Sequence, residues 1–182
     1  MEDNELDITV LVEKYEHTRA LGKKMYFDAD EFALLADYYS AGGDNEEAEI
    51  LIDEGLIMHP GSPELMLIKV KMLVYAERYE DALEYTGRIS DEGDVDLPLL
   101  KIEALLQLYR TDEANGLIDL TLSREMSSDD YYFFITEVGY LLNDVDQFDR
   151  AIQLLEEGMK MNRSNTDVNG GGACGHLCFG CC

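Results

Sequence analysis

The residues of this chain best suited to metal binding or redox chemistry stand in its last nine positions. All four cysteines lie there, at positions 174, 178, 181 and 182, together with His176. Zinc favours four cysteine or histidine ligands, with two to four residues between paired cysteines, and Cys178 and Cys181 have that spacing. A second pair at a loop distance is missing, and the adjacent Cys181 and Cys182 would strain a shared tetrahedral site.

The composition of residues 169–182 leaves more than one interpretation of these cysteines open. The segment holds five glycines and no charged residue, in a chain that is 29% charged. We expect a disordered or artefactual tail, left by a truncation, a frameshift or a cloning scar. The alternatives are a metal-binding or redox protein that works through this cluster, and a natural disordered or lipid-modified tail. The ligands of the metal site would be Cys174, His176, Cys178 and Cys181.

Outside this tail the sequence offers no constellation of catalytic residues. There is no phosphate-binding loop, no Gly-x-Ser-x-Gly and no His-Glu-x-x-His motif. His17 falls in a helical segment and His59 beside a proline, where a surface or capping role is more common than that of a base or a metal ligand. The paired carboxylates at 53–54 and 156–157 are typical of a solvated helix surface. We therefore expect no enzymatic activity and no cofactor.

The charge balance narrows the class of partner. The 182 residues include 39 acidic and 14 basic side chains, a formal net charge of -25. Nucleic-acid binding depends mainly on basic side chains that contact phosphates, so we expect no nucleic-acid partner. The same negative field disfavours anionic membrane surfaces and would attract a basic protein segment. An acidic surface can also serve solubility alone.

Nothing in the sequence suggests passage through a membrane. The N-terminus, Met1-Glu-Asp-Asn-Glu-Leu-Asp, is acidic and lacks the basic and apolar regions of a secretory signal. No uninterrupted apolar stretch approaches the roughly 20 residues of a spanning helix. Cysteine is absent from residues 1 to 173, which fits a reducing compartment. We expect a cytoplasmic protein with no membrane partner.

Four alanines at regular intervals indicate the elements that make up most of the chain. Ala48, Ala82, Ala114 and Ala151 stand 34, 32 and 37 residues apart, each at the start of a run with helical spacing of its apolar residues. We call them the ladder alanines. A period near 34 residues indicates stacked helical hairpins, and a small side chain is expected where paired helices approach to within about 8 to 10 Å.

Turn and capping residues divide the chain between these helical runs. An amphipathic lead-in helix is expected within residues 1–28, with Leu6, Val10, Leu11 and Tyr15 on one side. Glycine, proline and acidic capping residues then separate four hairpins from one another. The hairpins cover about residues 29–62, 63–94, 95–127 and 128–165, in an array that extends to residue 168.

Residues at equivalent places in the first and last hairpins resemble those of a known family. The first hairpin has Phe32, Leu35, Ala36, Tyr39, Ala48, Ile52, Gly55 and Pro60 at these places, and the last has Ile135, Val138, Gly139, Leu142, Ala151, Leu155 and Gly158. The chain resembles tetratricopeptide repeat proteins of the bacterial type, although Arg163 replaces the proline in the last unit. The resemblance implies an all-α, right-handed superhelical solenoid of about four antiparallel helix pairs, preceded by the lead-in helix.

The resemblance also implies a function, that of a non-catalytic protein–protein interaction scaffold with a concave groove lined by the first helix of each pair. Ala33 and Asp37 stand where some members use lysine and asparagine to hold a chaperone's C-terminal carboxylate, so that ligand is not expected. The lining is acidic and apolar or aromatic, which favours a basic and apolar peptide or partner protein. The groove residues are Asp37, Leu67, Lys71, Tyr75, Leu99, Glu103, Gln107, Phe133 and Tyr140.

The end of the last hairpin leads us to expect an interrupted array. Its second helix aligns with that of the first hairpin, and the same alignment predicts that Thr166 and Asp167 begin a fifth repeat, which the glycine-rich tail replaces. Repeat arrays need a terminal helix with a polar outer face. Because Ile152, Leu155 and Met159 would lack such cover, self-association through this end is expected.

Overall fold

The computed structural model describes residues 8–22, 26–89 and 95–168, with the backbone alone for residues 161–168. Within these residues the chain is helical and contains no β-strand, which confirms the predicted all-α class. The predicted tail, with its candidate ligands Cys174, His176, Cys178 and Cys181, lies outside them. The helices are α1 (Ile8–Ala20), α2 (Ala29–Ala41), α3 (Asn45–Met58), α4 (Pro63–Tyr75), α5 (Tyr79–Thr86), α6 (Asp96–Gln107), α7 (Thr111–Leu122), α8 (Ser128–Asp144) and α9 (Phe148–Val168).

The chain divides into two compact units. The first unit, Met1–Glu125, contains α1 to α7, and the second, Met126–Cys182, contains α8 and α9. Within the first unit, helices that are neighbours in sequence pack against each other, and α2, α4 and α6 also make contact in series. In the second unit α8 packs against α9. This sequential packing is compatible with a helical repeat.

The same backbone turn joins the two helices of each predicted hairpin. Gly43 (φ 85°), Glu77 (57°), Tyr109 (58°) and Asp146 (60°) have left-handed backbone conformations, and each precedes its ladder alanine by five residues. The N–H of the following residue donates to the carbonyl five residues earlier over 2.8 to 2.9 Å. This is the longer hydrogen bond of a Schellman motif. The turns therefore recur at the intervals of the alanines.

Small residues lie where paired helices come closest. All four ladder alanines are buried, as such an approach requires. In α3 a Cβ atom at Gly55 would lie 3.0 Å from Cγ of Phe32 and 3.0 Å from Cδ1 of Leu65. Phe32 is on α2 and Leu65 on α4, and both are fully buried. Glycine at position 55 therefore leaves room for the side chains that join the first hairpin to the second.

Side-chain caps determine where several helices begin. Asp44, Ser62 and Ser127 each accept a hydrogen bond from the backbone N–H three residues later, which satisfies a donor that a helix start leaves free. At α2 the backbone N–H of Asp28 donates to the carboxylate of Glu31 over 2.8 Å. The second helix of the first hairpin, α3, therefore begins directly after the Asp44 cap.

The helix start predicted at Thr166 and Asp167 is wrong, because α9 continues without a break to Val168. In the first hairpin α3 ends one residue before His59, and Pro60 and a glycine follow. Proline cannot donate a helical hydrogen bond and clashes with the preceding turn. The corresponding residue in α9 is Arg163, which is a good helix former. The alignment of the two helices therefore predicted a helix boundary where the backbone of α9 remains helical.

A helix, α1, lies within the segment expected to hold the lead-in helix, and its buried face agrees with the predicted one only in part. Leu11, Val12 and Tyr15 are buried, whereas Val10 is exposed. Periodicity alone could not separate these faces, because Val10, Leu11 and Val12 are consecutive and all apolar. The Tyr15 ring packs 6.2 Å from that of Phe27 and 5.9 Å from that of Tyr39, between centroids. These aromatic contacts fix the rotation of α1 on the first hairpin.

Candidate interaction surface

The structure places the predicted groove residues in both units. Seven lie on α2, α4 and α6, which contact one another in the first unit, and two lie on α8 in the second. Tyr75 is 83% exposed and is the most prominent aromatic side chain of the three helices. The half-buried members are Leu67, Leu99 and Glu103, and the exposed members are Asp37, Lys71, Tyr75, Gln107, Phe133 and Tyr140.

Three carboxylates of α2 and α4 lie close together, and we call Asp30, Asp37 and Glu64 the acidic edge. Partial desolvation raises the pKa of Glu64, and the charge of Asp30, a hydrogen bond with Asp30 and the charge of Asp37 raise it further. No lysine or arginine in the described part of the chain forms an ion pair with any of the three. The carboxylates of the acidic edge therefore repel one another, and a cation bound there would relieve the repulsion.

The basic residue of the predicted groove is already paired. The ammonium of Lys71 on α4 lies 2.7 Å from the Asp96 carboxylate on α6. Both side chains are at least one-third exposed, so the pair adds little to stability, but it neutralises Lys71. One turn further along α4 is Tyr75. The surface formed by α2, α4 and α6, which we call the first-helix surface, thus has an acidic edge, a neutralised lysine and an exposed aromatic ring.

A second charged network joins α3, α4 and α5, around a shallow pocket of about 330 Å³. The ammonium of Lys69, only 7% exposed, lies 2.9 Å from Glu49 and 2.8 Å from Asp53, and Arg78 lies 3.8 Å from Glu49. Burial lowers the pKa of Lys69, but hydrogen bonds to Asp53 and Glu49 outweigh it, so the net shift is upward. A hydrogen bond from Lys69 lowers the pKa of Glu49. The network connects hairpins and leaves no unpaired lysine for a ligand.

We expect Lys69→Met to reduce the loss of stability on acidification. A carboxylate with a lowered folded pKa contributes stability that is present above its unfolded pKa and lost as pH falls through the folded value. Removing the Lys69 ammonium removes this contribution from Glu49, so unfolding midpoints in urea should fall less between pH 6 and about pH 3. The matched control is Lys71→Met, which breaks an exposed ion pair. If the urea midpoint of both variants fell equally less on acidification than that of the parent chain, the special role of the buried lysine would be contradicted.

The lead-in helix is held by a buried carboxylate. Glu47 on α3 accepts a hydrogen bond from the Tyr15 hydroxyl and pairs with Arg19, both on α1. The Tyr39 hydroxyl donates to Glu16 over 3.4 Å. Burial raises the pKa of Tyr15, opposed by the charge of Arg19. These groups line a pocket of about 400 Å³ and satisfy one another, so their evident role is to dock α1 on the first hairpin.

The two histidines among the described residues lie at positions consistent with structural roles. His59 is the C-cap residue of α3, and its Nε2 lies 2.8 Å from the carbonyl oxygen of Phe27, to which it must donate since a carbonyl oxygen only accepts. His17 lies on the exposed side of α1. No group of three histidine, cysteine, aspartate or glutamate side chains within the described ranges is arranged to hold a metal ion. The cysteine cluster falls outside those ranges, so both the expected tail and the alternative of a zinc site stay untested.

Helix hydrophobicity and comparison with known proteins give no further indication of function. In the described segments, no helix combines the length and apolar composition that crossing a bilayer requires. The chain matched no protein-family model, no curated protein and no solved structure. Its function is therefore inferred from its own residues.

Proposed function

We propose that this chain is a tetratricopeptide-repeat scaffold that binds a basic and apolar segment of a partner protein on its first-helix surface. The observation that carries the proposal is the acidic edge of Asp30, Asp37 and Glu64, which has no paired cation among the described residues. It lies on α2 and α4, and α4 also presents the exposed Tyr75. The role is that of an adaptor without chemistry of its own. The absence of cysteine from residues 1 to 173 supports a cytoplasmic location.

The repeat assignment is supported by two regularities that concern different atoms. The ladder alanines are buried side chains, and the left-handed turns are backbone conformations, yet both recur at the same intervals. Contacts of α2 with α4 and of α4 with α6 align the first helices in series. In a right-handed solenoid of this family, those helices would line the concave side.

The chemistry of the partner follows from the charges of this surface. Lysine or arginine side chains would bind the acidic edge, where repulsion between carboxylates is relieved, and long-range attraction to the acidic chain would speed their encounter. Apolar side chains would contact Tyr75 and the half-buried Leu67 and Leu99. A segment that interleaves the two kinds of side chain matches both parts of the surface.

We expect a labelled peptide of alternating lysine and leucine to bind the full chain with strong salt dependence. Affinity measured by fluorescence anisotropy should fall about 10-fold or more between about 0.1 M and 1 M NaCl, as the Debye length falls from about 10 Å to 3 Å. A peptide with glutamate in place of lysine is the control and should not bind. Equal binding of the two peptides, or an affinity independent of salt, would overturn the proposed partner chemistry.

A further inference from the structure

Four apolar side chains form an exposed stripe along α9. Phe148, Ile152, Leu155 and Met159 are between 42% and 58% exposed. They follow one another at intervals of four, three and four residues, which places them on one side of the helix. This alternation is the spacing by which one helix packs lengthwise against another. We call these four residues the α9 stripe.

Three other residues of α9 are buried, and one of them meets α8 of the second unit closely. Ala151, Leu154 and Gly158 are buried, and a Cβ atom at Gly158 would collide with the Ile135 side chain of α8. Leu155 lies at the border, since a Cβ atom at Gly139 would be 3.4 Å from it. The α9 stripe is therefore a second apolar side, beyond what pairing with α8 requires.

Acidic side chains flank the stripe. Asp149 and Glu156 immediately follow Phe148 and Leu155, at positions that lie beside the seam of a helix pair. Both are exposed, and no ion pair recorded among the described residues includes them. In an antiparallel pair with a second copy, these positions would face their own equivalents. Like charges would then meet, in a chain that already carries a net charge of -25.

The first unit contains an example of the partner that such a surface fits. The amphipathic α1 buries Leu11, Val12 and Tyr15 against the first hairpin. Its basic residues face acidic ones there, with Lys14 3.5 Å from Glu31 and Arg19 paired with Glu47. An apolar stripe bordered by basic side chains thus already covers an acidic hairpin in this chain.

We propose that the α9 stripe docks an amphipathic helix of a partner protein, with apolar residues spaced three and four apart and lysine or arginine beside them. This site is on the second unit and does not depend on the first-helix surface. Self-association was expected from the sequence, but the flanking carboxylates favour a basic partner over a second copy.

The test uses the full chain and a helical peptide with leucine at alternating intervals of three and four and lysine beside each leucine. The double variant Ile152→Ser with Met159→Ser should bind it at least about 10-fold more weakly, since it loses two of the four apolar contacts. The control pair is Val10→Ser with Leu120→Ser, whose side chains are 60% and 54% exposed on α1 and α7. It should bind like the parent chain.

Three results would overturn the proposal. The first is parental affinity in the α9 double variant, and the second is equal affinity for a peptide with glutamate beside each leucine. The third is concentration-dependent dimerisation in sedimentation velocity that the double variant abolishes, since a second copy would then be the occupant. Neutralising Asp30, Asp37 and Glu64 should leave binding of this helical peptide unchanged, which separates this site from the first-helix surface.

Discussion

Replacing Phe32 with alanine is expected to lower the free energy of unfolding by about 3 to 5 kcal/mol, the range for a buried phenylalanine. The side chain is 1% exposed and its ring packs 5.6 Å from that of Phe27 and 6.3 Å from that of His59, between centroids. Because Gly55 beneath it has no side chain to move into the space, the cavity should stay open. Urea unfolding followed by circular dichroism measures the loss.

The chain provides a matched control for this substitution. Phe133→Ala makes the same change at a side chain that is 47% exposed, and we expect a loss below about 1 kcal/mol. The two phenylalanines also differ in predicted role, since Phe32 is a core residue and Phe133 a groove residue. Equal losses would contradict the burial that distinguishes them.

Neutralising the acidic edge is expected to weaken binding of the lysine–leucine peptide by about 10-fold at low salt. The variant carries Asp30→Asn, Asp37→Asn and Glu64→Gln, changes that keep the size of each side chain and remove three charges from one place. Burial raises the pKa of Glu64, and the charges of Asp30 and Asp37 raise it further. In the variant these charges no longer repel one another, so a bound lysine gains no energy by relieving their repulsion. Titration by anisotropy measures the change.

A variant of equal net charge separates local from overall electrostatics. Glu54→Gln, Glu80→Gln and Asp112→Asn remove one exposed carboxylate from each of α3, α5 and α7, the second helices of the hairpins. We expect this variant to bind within about twofold of the parent, because exposed charges at a distance are screened by salt. If both variants weaken binding to the same extent, the peptide responds to the total charge and has no site at the acidic edge.

The sequence predicted features of the fold that depend on local spacing. The ladder alanines located four hairpins, and each of these alanines is the fourth residue of the second helix of its pair. One error arose where several residues satisfied the same pattern. Val10 and Val12 are equally apolar, and only contacts of Tyr15 with the first hairpin decided between them.

The interaction surface was less accessible from sequence, because its properties depend on pairs of residues distant in the chain. Lys71 was identified as a groove residue, but its partner Asp96 is 25 positions away. The sequence analysis did not identify Lys69. Its position within the apolar run Leu65–Val74 could have indicated burial, and a buried lysine needs a carboxylate partner. Tertiary contacts decide which face of a helix is buried, and the spacing of residues within one helix does not reveal those contacts.

The turns between paired helices tolerate different residues at their left-handed position. The left-handed position holds glycine once and glutamate, tyrosine and aspartate elsewhere, although a side chain there costs about 1 to 2 kcal/mol. The flanking helices evidently impose the conformation, whatever residue occupies it. The four hairpins therefore share a backbone conformation at this turn that the identity of the residue there does not reveal, and a substitution at the turn can leave its geometry unchanged.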